Sequence, residues 1–368
     1  MAENPLIVLG RLGQSPWYDY ITRELIASGR LARLIAEDGL RGMTSNPTIF
    51  QKAVASGTDY DDDIRQAASE GRSPAEIFET LSVADVRAAC DVFRPLYDAT
   101  AGADGLVSIE VSPEVAHDTA ATLAMARRLW ALVDRPNTMI KIPGTRAGLS
   151  AITEGLAAGI NINITLLFSV DRYREVIAAF QEGLTRRVAN GLPVDRIASV
   201  ASFFVSRVDA RVDPLLDQSG DPARLRGTIA IANAAAAYEV FERSLETPAW
   251  KALAVKGARP QRPLWASTST KDPRYPDTYY VEALVASRTV NTMPPETLDA
   301  YRDHGKPEIR IGRAIAEAPA RLAALAGSGI DLAEVTRFLE EDGVRKFADS
   351  YRQLLAGIEA KIGALAAH

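Results

Sequence analysis

The sequence predicts an α/β fold, a TIM-type (β/α)8 barrel with added helices, forming one domain over residues 1–368. Short apolar or alternating runs are separated by long amphipathic or alanine-rich segments, which indicates βαβ units and a parallel sheet. Several strand candidates are polar on one face only, whereas strands of an open doubly wound sheet are apolar on both faces. Barrels of this kind often exceed about 250 residues as one domain.

Seven strands are predicted directly, and an eighth is expected at Ser15–Tyr20, before a helix at Ile21–Ser28. The seven are Leu40–Ser45, Leu106–Ser112, Thr138–Ile142, Ile160–Leu166, Val200–Val205, Leu264–Ser269 and Thr289–Met293. The helices expected between them include Ala116–Leu132, Ala147–Ala157, Asp171–Asn190 and Leu225–Leu245.

Two helical additions account for the length beyond a simple barrel. One is an insertion at about 213–262, between strands six and seven, and the other is a C-terminal tail at about 296–366, ending in Phe347–Leu365. The insertion is expected to be a helical hairpin packed on the barrel. The alternative is a surface for a partner or a second subunit, and the sequence leaves open whether the chain forms a homo-oligomer.

The strand Ile160–Leu166 separates polar from apolar side chains most clearly. Its odd-numbered positions are Asn161, Asn163 and Thr165, and its even-numbered positions are all Ile or Leu. Successive side chains of a strand point to opposite faces. Two other strands show the same pattern, in Ser108 with Glu110 and in Thr44 with Asn46. A half-exposed antiparallel strand would alternate likewise, but the intervening helices favour a barrel whose polar interior opens into an active site.

Composition argues against several functional classes. The net charge is −5 and no basic run offers a nucleic-acid footprint. No apolar stretch has membrane-spanning length, and the start, Met1-Ala-Glu-Asn-Pro5, does not fit a signal peptide. The single cysteine, Cys90, is expected in the core and cannot form an internal disulfide. We therefore expect a cytoplasmic protein that binds neither nucleic acid nor membranes.

Ligand motifs for metals and common cofactors are missing from the sequence. The three histidines, at positions 117, 304 and 368, lack metal-ligand spacing. No glycine-rich dinucleotide fingerprint follows a strand, and no Walker sequence occurs. We therefore expect no metal and no nucleotide cofactor.

Lys141 is the most informative single residue. The chain has 8 lysines against 34 arginines, yet it places a lysine between two isoleucines in Ile140-Lys-Ile-Pro143. Burial favours the neutral amine, and a neutral amine attacks carbonyl carbons to form Schiff bases. The alternative is a lysine that reaches solvent or a salt bridge from the strand.

Residues on the neighbouring strands favour the catalytic interpretation of Lys141. An iminium is an electron sink for breaking a C–C bond, a carboxylate moves protons, and amides hold sugar hydroxyls. Glu110, Thr165, Asn163 and Asn46 supply these groups. Arg207 after strand six and Lys271 after strand seven are candidates for binding phosphate, although either could be a surface cation.

Six motifs, each at a strand end and in order along the chain, resemble the longer bacterial type of the transaldolase family over essentially the full length. They are Gly13-Gln-Ser-Pro-Trp-Tyr-Asp19, Gly42-Met-Thr-Ser-Asn-Pro-Thr-Ile-Phe50, Val107-Ser-Ile-Glu-Val111, Ile140-Lys-Ile-Pro143, Asn161-Ile-Asn-Ile-Thr-Leu-Leu-Phe-Ser169 and Ser202-Phe-Phe-Val-Ser-Arg207.

The resemblance implies a role for each matched residue. Lys141 matches the Schiff-base lysine, and Asp19 matches the carboxylate that moves the proton of the sugar C4 hydroxyl. Glu110 and Thr165 match the pair that holds and activates a water. The substrate-binding matches are Asn46 and Asn163 for the dihydroxyacetone part and Ser202 and Arg207 for phosphate.

The resemblance also implies the reaction. The family transfers a dihydroxyacetone unit from sedoheptulose 7-phosphate to glyceraldehyde 3-phosphate, giving erythrose 4-phosphate and fructose 6-phosphate in the pentose phosphate pathway. It needs no metal and no organic cofactor.

Two positions depart from related proteins. Shorter members carry a second phosphate-binding Arg two residues after a Ser. Here Ser267 matches the Ser, but Ser269 holds the Arg position, and Lys271, on the same strand face as Ser267, is predicted to supply the charge. Phe204 stands where fructose 6-phosphate aldolases carry a tyrosine, so we expect transfer to outweigh simple cleavage.

Two alternatives to transaldolase chemistry stay open at this point. One is a fructose 6-phosphate aldolase-type lysine aldolase on the same barrel. The other is a non-catalytic barrel that binds sugar phosphates, which the presence of Lys141, Glu110 and Asp19 disfavours.

Overall fold

The computed structural model describes residues 3–220 and 224–366. Met1, Ala2, residues 221–223 of the insertion, Ala367 and His368 lie outside them. Within the described residues, eight parallel strands close into a barrel in chain order, which confirms the TIM-type fold. The strands are β1 (Gln14–Asp19), β2 (Gly42–Thr44), β3 (Leu106–Glu110), β4 (Thr138–Pro143), β5 (Ile162–Leu167), β6 (Ser199–Phe204), β7 (Arg262–Ala266) and β8 (Thr289–Met293).

Helices connect the strands and form both predicted additions. In chain order they are α1 (Pro5–Arg11), α2 (Arg23–Ala27), α3 (Arg30–Glu37), α4 (Pro47–Ser56), α5 (Asp61–Ser69), α6 (Pro74–Ala99), α7 (Thr119–Val133), α8 (Arg146–Ala158), α9 (Val170–Ala189), α10 (Ser206–Ser219), α11 (Ile229–Leu245), α12 (Pro248–Val255), α13 (Tyr279–Ala283), α14 (Pro295–His304), α15 (Ile311–Gly327) and α16 (Leu332–Ala366). Helices α10–α12 lie between β6 and β7, and α14–α16 follow β8. In the described ranges, no helix has the length and apolar content needed to cross a membrane.

Side-chain caps set the start of two helices near the barrel mouth. Thr22 Oγ1 accepts a hydrogen bond from Leu25 N (3.1 Å), so the helix expected from Ile21 begins at Arg23. Asn46 Oδ1 accepts one from Ile49 N (3.1 Å) and begins α4. The cap fixes the orientation of the Asn46 amide directly after β2.

Left-handed residues end the regular alternation earlier than the sequence pattern suggests. Leu166 has φ 58° and the register of β5 shifts between Ile164 and Leu167, so Leu166 leaves the apolar face. Ser267 has φ 55° and β7 ends at Ala266. The prediction that Lys271 shares a strand face with Ser267 is therefore wrong, because Lys271 lies in the following loop.

The end of β6 also differs from the prediction. The strand stops at Phe204, one residue before the predicted end at Val205, and Arg207 stands in the first turn of α10.

The packing of β1 against β2 explains a glycine in the second motif. Trp17 is fully buried, and a Cβ on Gly42 would lie 2.4 Å from Trp17 Cε2. Only glycine leaves room for the indole here.

Two polar groups stabilise the opposite, amino-terminal end of the barrel. The Asn161 side chain donates to Pro136 O (2.9 Å) and Thr138 O (3.0 Å). It therefore links the starts of β4 and β5, and it does not reach the carboxyl ends of the strands. Asp104, 6% exposed, pairs with Arg41 (3.0 Å) and Arg262 (3.2 Å). Cys90 is buried in α6, as expected.

Candidate active site

A cavity of about 420 Å³ opens at the carboxyl ends of the strands. Its wall includes the last residues of four strands, Asp19, Thr44, Phe204 and Ala266. Nine of the eleven residues that the sequence singles out line it, namely Lys141, Asp19, Thr165, Asn46, Ser202, Arg207, Ser267, Lys271 and Phe204. The other two, Glu110 and Asn163, contact members of this set directly.

Lys141 lies on β4 and is only 5% exposed. Its Nζ lies 3.2 Å from Glu110 Oε2 and donates to the carbonyl oxygen of Ser45 at 3.2 Å. The ring centroid of Phe347, from α16, is 5.8 Å from Nζ. The salt bridge expected of a structural lysine is thus present, but its partner, Glu110, is the carboxylate that the resemblance assigns to holding and activating a water.

Glu110 ends β3, and burial raises its pKa to about 7, against the opposing effect of Lys141. Its Oε2 contacts the ammonium but, among the described residues, accepts no hydrogen bond of good geometry. A carboxyl group with this pKa can both accept and donate a proton near neutral pH. Glu110 also borders a second, mainly apolar cavity of about 220 Å³, beside Phe50 and Phe78.

Asp19 is held by a hydroxyl group of the neighbouring strand β2. Thr44 Oγ1 donates to Asp19 Oδ1 at 2.6 Å and lies 2.7 Å from Thr292 Oγ1. Burial raises the Asp19 pKa, and Lys141 and Thr44 oppose that shift. A carboxyl group in this state suits the exchange of a proton with a sugar hydroxyl.

A short chain of hydrogen bonds fixes the amide of Asn163. Asn163 donates to Ser108 Oγ (3.0 Å) and accepts from Ser202 Oγ (2.7 Å). The hydroxyl hydrogen of Ser202 is therefore already used, and Ser202 can only accept a further hydrogen bond. Thr165 Oγ1 is buried without a partner among the described residues, so it is available to a water or a substrate.

The other end of the cavity carries positive charge. Arg207 Nη1 is buried and has no hydrogen-bond acceptor among the described residues, and burial lowers the Arg207 pKa. Its Cζ lies 5.1 Å from the Phe204 ring. Lys271 is exposed at the mouth and donates to Ser269 Oγ (2.6 Å), while desolvation and then Arg207 lower its pKa. Two cations that repel each other across a cavity mark a site for an anion.

Sequence reasoning missed several residues that the structure adds to the site. Phe347 was within a predicted helix, but helical periodicity does not show which residue reaches the barrel mouth. The Ser45 carbonyl is a backbone group, which no side-chain pattern reveals. Lys52 of α4 and Thr292 of β8 also line the cavity. In the described part of the chain, no group of three or more His, Cys, Asp or Glu could hold a metal ion.

Comparison with known proteins agrees with this geometry. The family model for Transaldolase/Fructose-6-phosphate aldolase matches residues 16–358. A transaldolase of Parafrankia sp. (strain EAN1pec) is 51% identical over 367 residues, which cover 99% of this chain and 100% of that protein. One from Acidothermus cellulolyticus is 53% identical over 359 residues (96% of each chain), and one from Thiobacillus denitrificans is 46% identical over 352 residues (95% and 98%). The chain therefore belongs to the transaldolase/fructose-6-phosphate aldolase family.

Proposed function

We propose that the chain is a transaldolase that moves a dihydroxyacetone unit from sedoheptulose 7-phosphate to glyceraldehyde 3-phosphate, with Lys141 as the Schiff-base residue. The observation that carries the proposal is the buried contact of 3.2 Å between Lys141 Nζ and Glu110 Oε2, in a site whose other end holds Arg207 and Lys271. An amine, a proton acceptor and an anion site are what this reaction needs.

The first half of the reaction forms the iminium. Glu110, with its pKa raised to about 7, takes the proton of the Lys141 ammonium and leaves a neutral amine. The amine attacks the ketose C2 carbonyl, and the carbinolamine loses water. Glu110 donates the proton to the leaving hydroxyl, and Thr165 Oγ1, which is buried without a protein partner among the described residues, holds the departing water.

The second half breaks and remakes a carbon–carbon bond. Asp19 removes the proton of the C4 hydroxyl, the C3–C4 bonding electrons move into the iminium, and the aldose leaves. The enamine on Lys141 then attacks the aldehyde carbon of the acceptor while Asp19 returns the proton. Water, activated by Glu110, hydrolyses the new iminium and frees the ketose.

The remaining residues hold the sugar phosphate. Asn46 and Asn163 bind the hydroxyls of the dihydroxyacetone part. Ser202, which the resemblance assigns to the phosphate, donates its hydroxyl hydrogen to Asn163 Oδ1 and can therefore only accept a hydrogen bond from the substrate. Arg207, Lys271 and Ser267 bind the phosphate. We further propose that the chain works as one domain in the cytoplasm, with the described part of the 213–262 segment packed as part of that domain.

Phe204 favours transfer over cleavage. Its ring packs 5.2 Å from the Phe168 ring and 5.1 Å from Arg207 Cζ, and it brings no hydroxyl that could hold a water near the enamine. An aldolase that releases free dihydroxyacetone is the second candidate function, because the matching family model covers both activities.

Product analysis separates the two functions. The protein is incubated with fructose 6-phosphate alone and with fructose 6-phosphate plus erythrose 4-phosphate. We expect formation of sedoheptulose 7-phosphate and sustained release of glyceraldehyde 3-phosphate only in the second mixture. Sustained release of free dihydroxyacetone without an acceptor would identify an aldolase instead.

A further inference from the structure

A largely buried polar cluster lies next to the phosphate end of the site and is not used by the chemistry above. It consists of Asp209 and Asp213 on α10 with Tyr275 and Tyr280, and we call it the Asp–Tyr cluster. The two aspartates are 1% and 3% exposed. Helix α10 also carries Arg207 in its first turn, and Tyr275 belongs to the loop that carries Lys271.

Each carboxylate oxygen of the cluster accepts a hydrogen bond. Tyr275 donates to Asp213 Oδ2 (2.7 Å) and Tyr280 to Asp209 Oδ2 (3.0 Å). The backbone N–H of Gly227 donates to Asp213 Oδ1 (3.0 Å), and that of Ala230 to Asp209 Oδ1 (2.7 Å). The cluster therefore joins α10 to the loop after β7 and to α13.

A second connection reaches the residue directly after Lys271. Arg226 forms an ion pair with Asp272 (2.7 Å) and another with Asp217 of α10. Lys271 itself borders both the sugar cavity and a third cavity, whose wall includes Asp209, Asp213 and Tyr275. The Lys271 loop is thus tied to α10 on the side away from the sugar.

We infer that the Asp–Tyr cluster positions the Lys271 loop against Arg207 so that the two cations together take the terminal phosphate of the sugar. The inference rests on the proposed function. Burying two carboxylates on successive turns of one helix is unfavourable, and apolar packing could join these elements more stably. Burial accordingly raises the pKa of Asp213 and brings that of Asp209 to about 7. Hydrogen bonds add what apolar packing lacks, a defined geometry for a loop that must hold one ammonium group in place.

The Asp–Tyr residues touch neither the sugar cavity nor Lys141 and are positioning residues. Their loss should affect substrates only through the phosphate. Tyr275→Phe removes one hydrogen bond to a charged group and keeps the ring, and we expect kcat/KM for fructose 6-phosphate to fall about tenfold through KM. For unphosphorylated fructose we expect a change below about twofold, as no phosphate contact is lost.

A double-mutant cycle separates positioning from general support. Lys271→Ala, Tyr275→Phe and the double variant are measured with fructose 6-phosphate and erythrose 4-phosphate. If Tyr275 acts through Lys271, adding Tyr275→Phe to Lys271→Ala causes no further loss. The control is Tyr238→Phe, which removes a tyrosine hydrogen bond to Ser287 O (3.1 Å) away from the cluster. It should leave kcat/KM unchanged both for fructose 6-phosphate and for unphosphorylated fructose.

The possible results are distinct. If the wild type transfers dihydroxyacetone, three results would overturn this inference but not the proposed function. They are additive losses in the double variant, equal losses with fructose and fructose 6-phosphate, and wild-type kinetics in Tyr275→Phe or Lys271→Ala. A wild-type chain with no transfer and no adduct on Lys141 would overturn the proposed function as well. Asp213→Asn is a second variant and should reproduce the selective loss if Tyr275→Phe unfolds.

Discussion

Arg207→Met should weaken catalysis and stabilise the free protein at the same time. In the described structure Arg207 Nη1 is buried without an acceptor, and burial lowers the pKa of the guanidinium. A buried donor left unsatisfied costs about 1–3 kcal/mol. Methionine keeps the stem of the side chain and removes the charge, so we expect the free energy of unfolding to rise by about 1–2 kcal/mol.

The loss in catalysis should be larger than the gain in stability. Two charge-assisted hydrogen bonds to a phosphate contribute about 3 kcal/mol or more, which corresponds to a loss in kcat/KM of about 100-fold. The loss should appear mainly in KM, and kcat/KM for unphosphorylated donors should change little, because Arg207 is proposed to bind the phosphate and takes no part in the Schiff-base chemistry.

Thermal unfolding tests the expected gain in stability, and steady-state kinetics test the expected loss in kcat/KM. Each kcal/mol shifts the midpoint by about 2–4 °C in domains of 150–250 residues and by somewhat less in a longer chain. Inorganic phosphate should raise the midpoint of the wild type but not that of Arg207→Met. Arg211→Met, at an exposed arginine one turn along α10 whose Cζ lies 4.4 Å from the Phe338 ring, is the matched control and should change neither quantity much. A lower midpoint for Arg207→Met, or a kcat/KM within twofold of wild type, would refute the reasoning.

Three further predictions follow from other parts of the structure. Because burial raises the Glu110 pKa from 4.5 to about 7, stability that this group contributes below pH 4.5 should be lost as the pH rises to about 7. Glu110→Gln should remove that part of the decline in unfolding midpoint between pH 5 and pH 8, and an unchanged decline would contradict the shift. Phe204→Tyr should increase the release of dihydroxyacetone from fructose 6-phosphate without acceptor, and an unaltered ratio of cleavage to transfer would show that a phenol there does not hold water. Asp104→Ala leaves Arg41 and Arg262 without their shared carboxylate, so the protein should lose about 2–3 kcal/mol of stability, discounted for the partial exposure of both arginines. Its kcat should stay the same, since Asp104 lies at the far end of the barrel; a large fall in kcat in folded protein would argue otherwise.

The fold could be predicted because its main determinants are local. Alternation of polar and apolar residues within each strand and helical periodicity between strands are visible without tertiary contacts. The exceptions, the left-handed residues Leu166 and Ser267, depend on how the chain turns after each strand. That is why the strand face assigned to Lys271 was wrong although its place at the cavity was right.

The candidate site was predictable where an unusual residue stands in a strand. Lys141 between isoleucines and Glu110 beside it in the barrel are of this kind, and the structure brings their charges to 3.2 Å. Phe347 and the Ser45 carbonyl could not be found this way, because one comes from a distant helix and the other is a backbone group. Asn161 continues the polar alternation of β5 but lies just before that strand, at the amino-terminal end of the barrel, since alternation defines the face but not the depth.

Trapping the Schiff base tests the central claim most directly. The protein is incubated with fructose 6-phosphate, reduced with borohydride, digested and examined by mass spectrometry, beside a Lys141→Arg control with the same unfolding midpoint. We predict a reduced three-carbon adduct on Lys141 that is absent from the control. Two results would contradict the role of Lys141. One is a well-folded wild type that forms no adduct with either fructose 6-phosphate or sedoheptulose 7-phosphate, and the other is an adduct on another lysine.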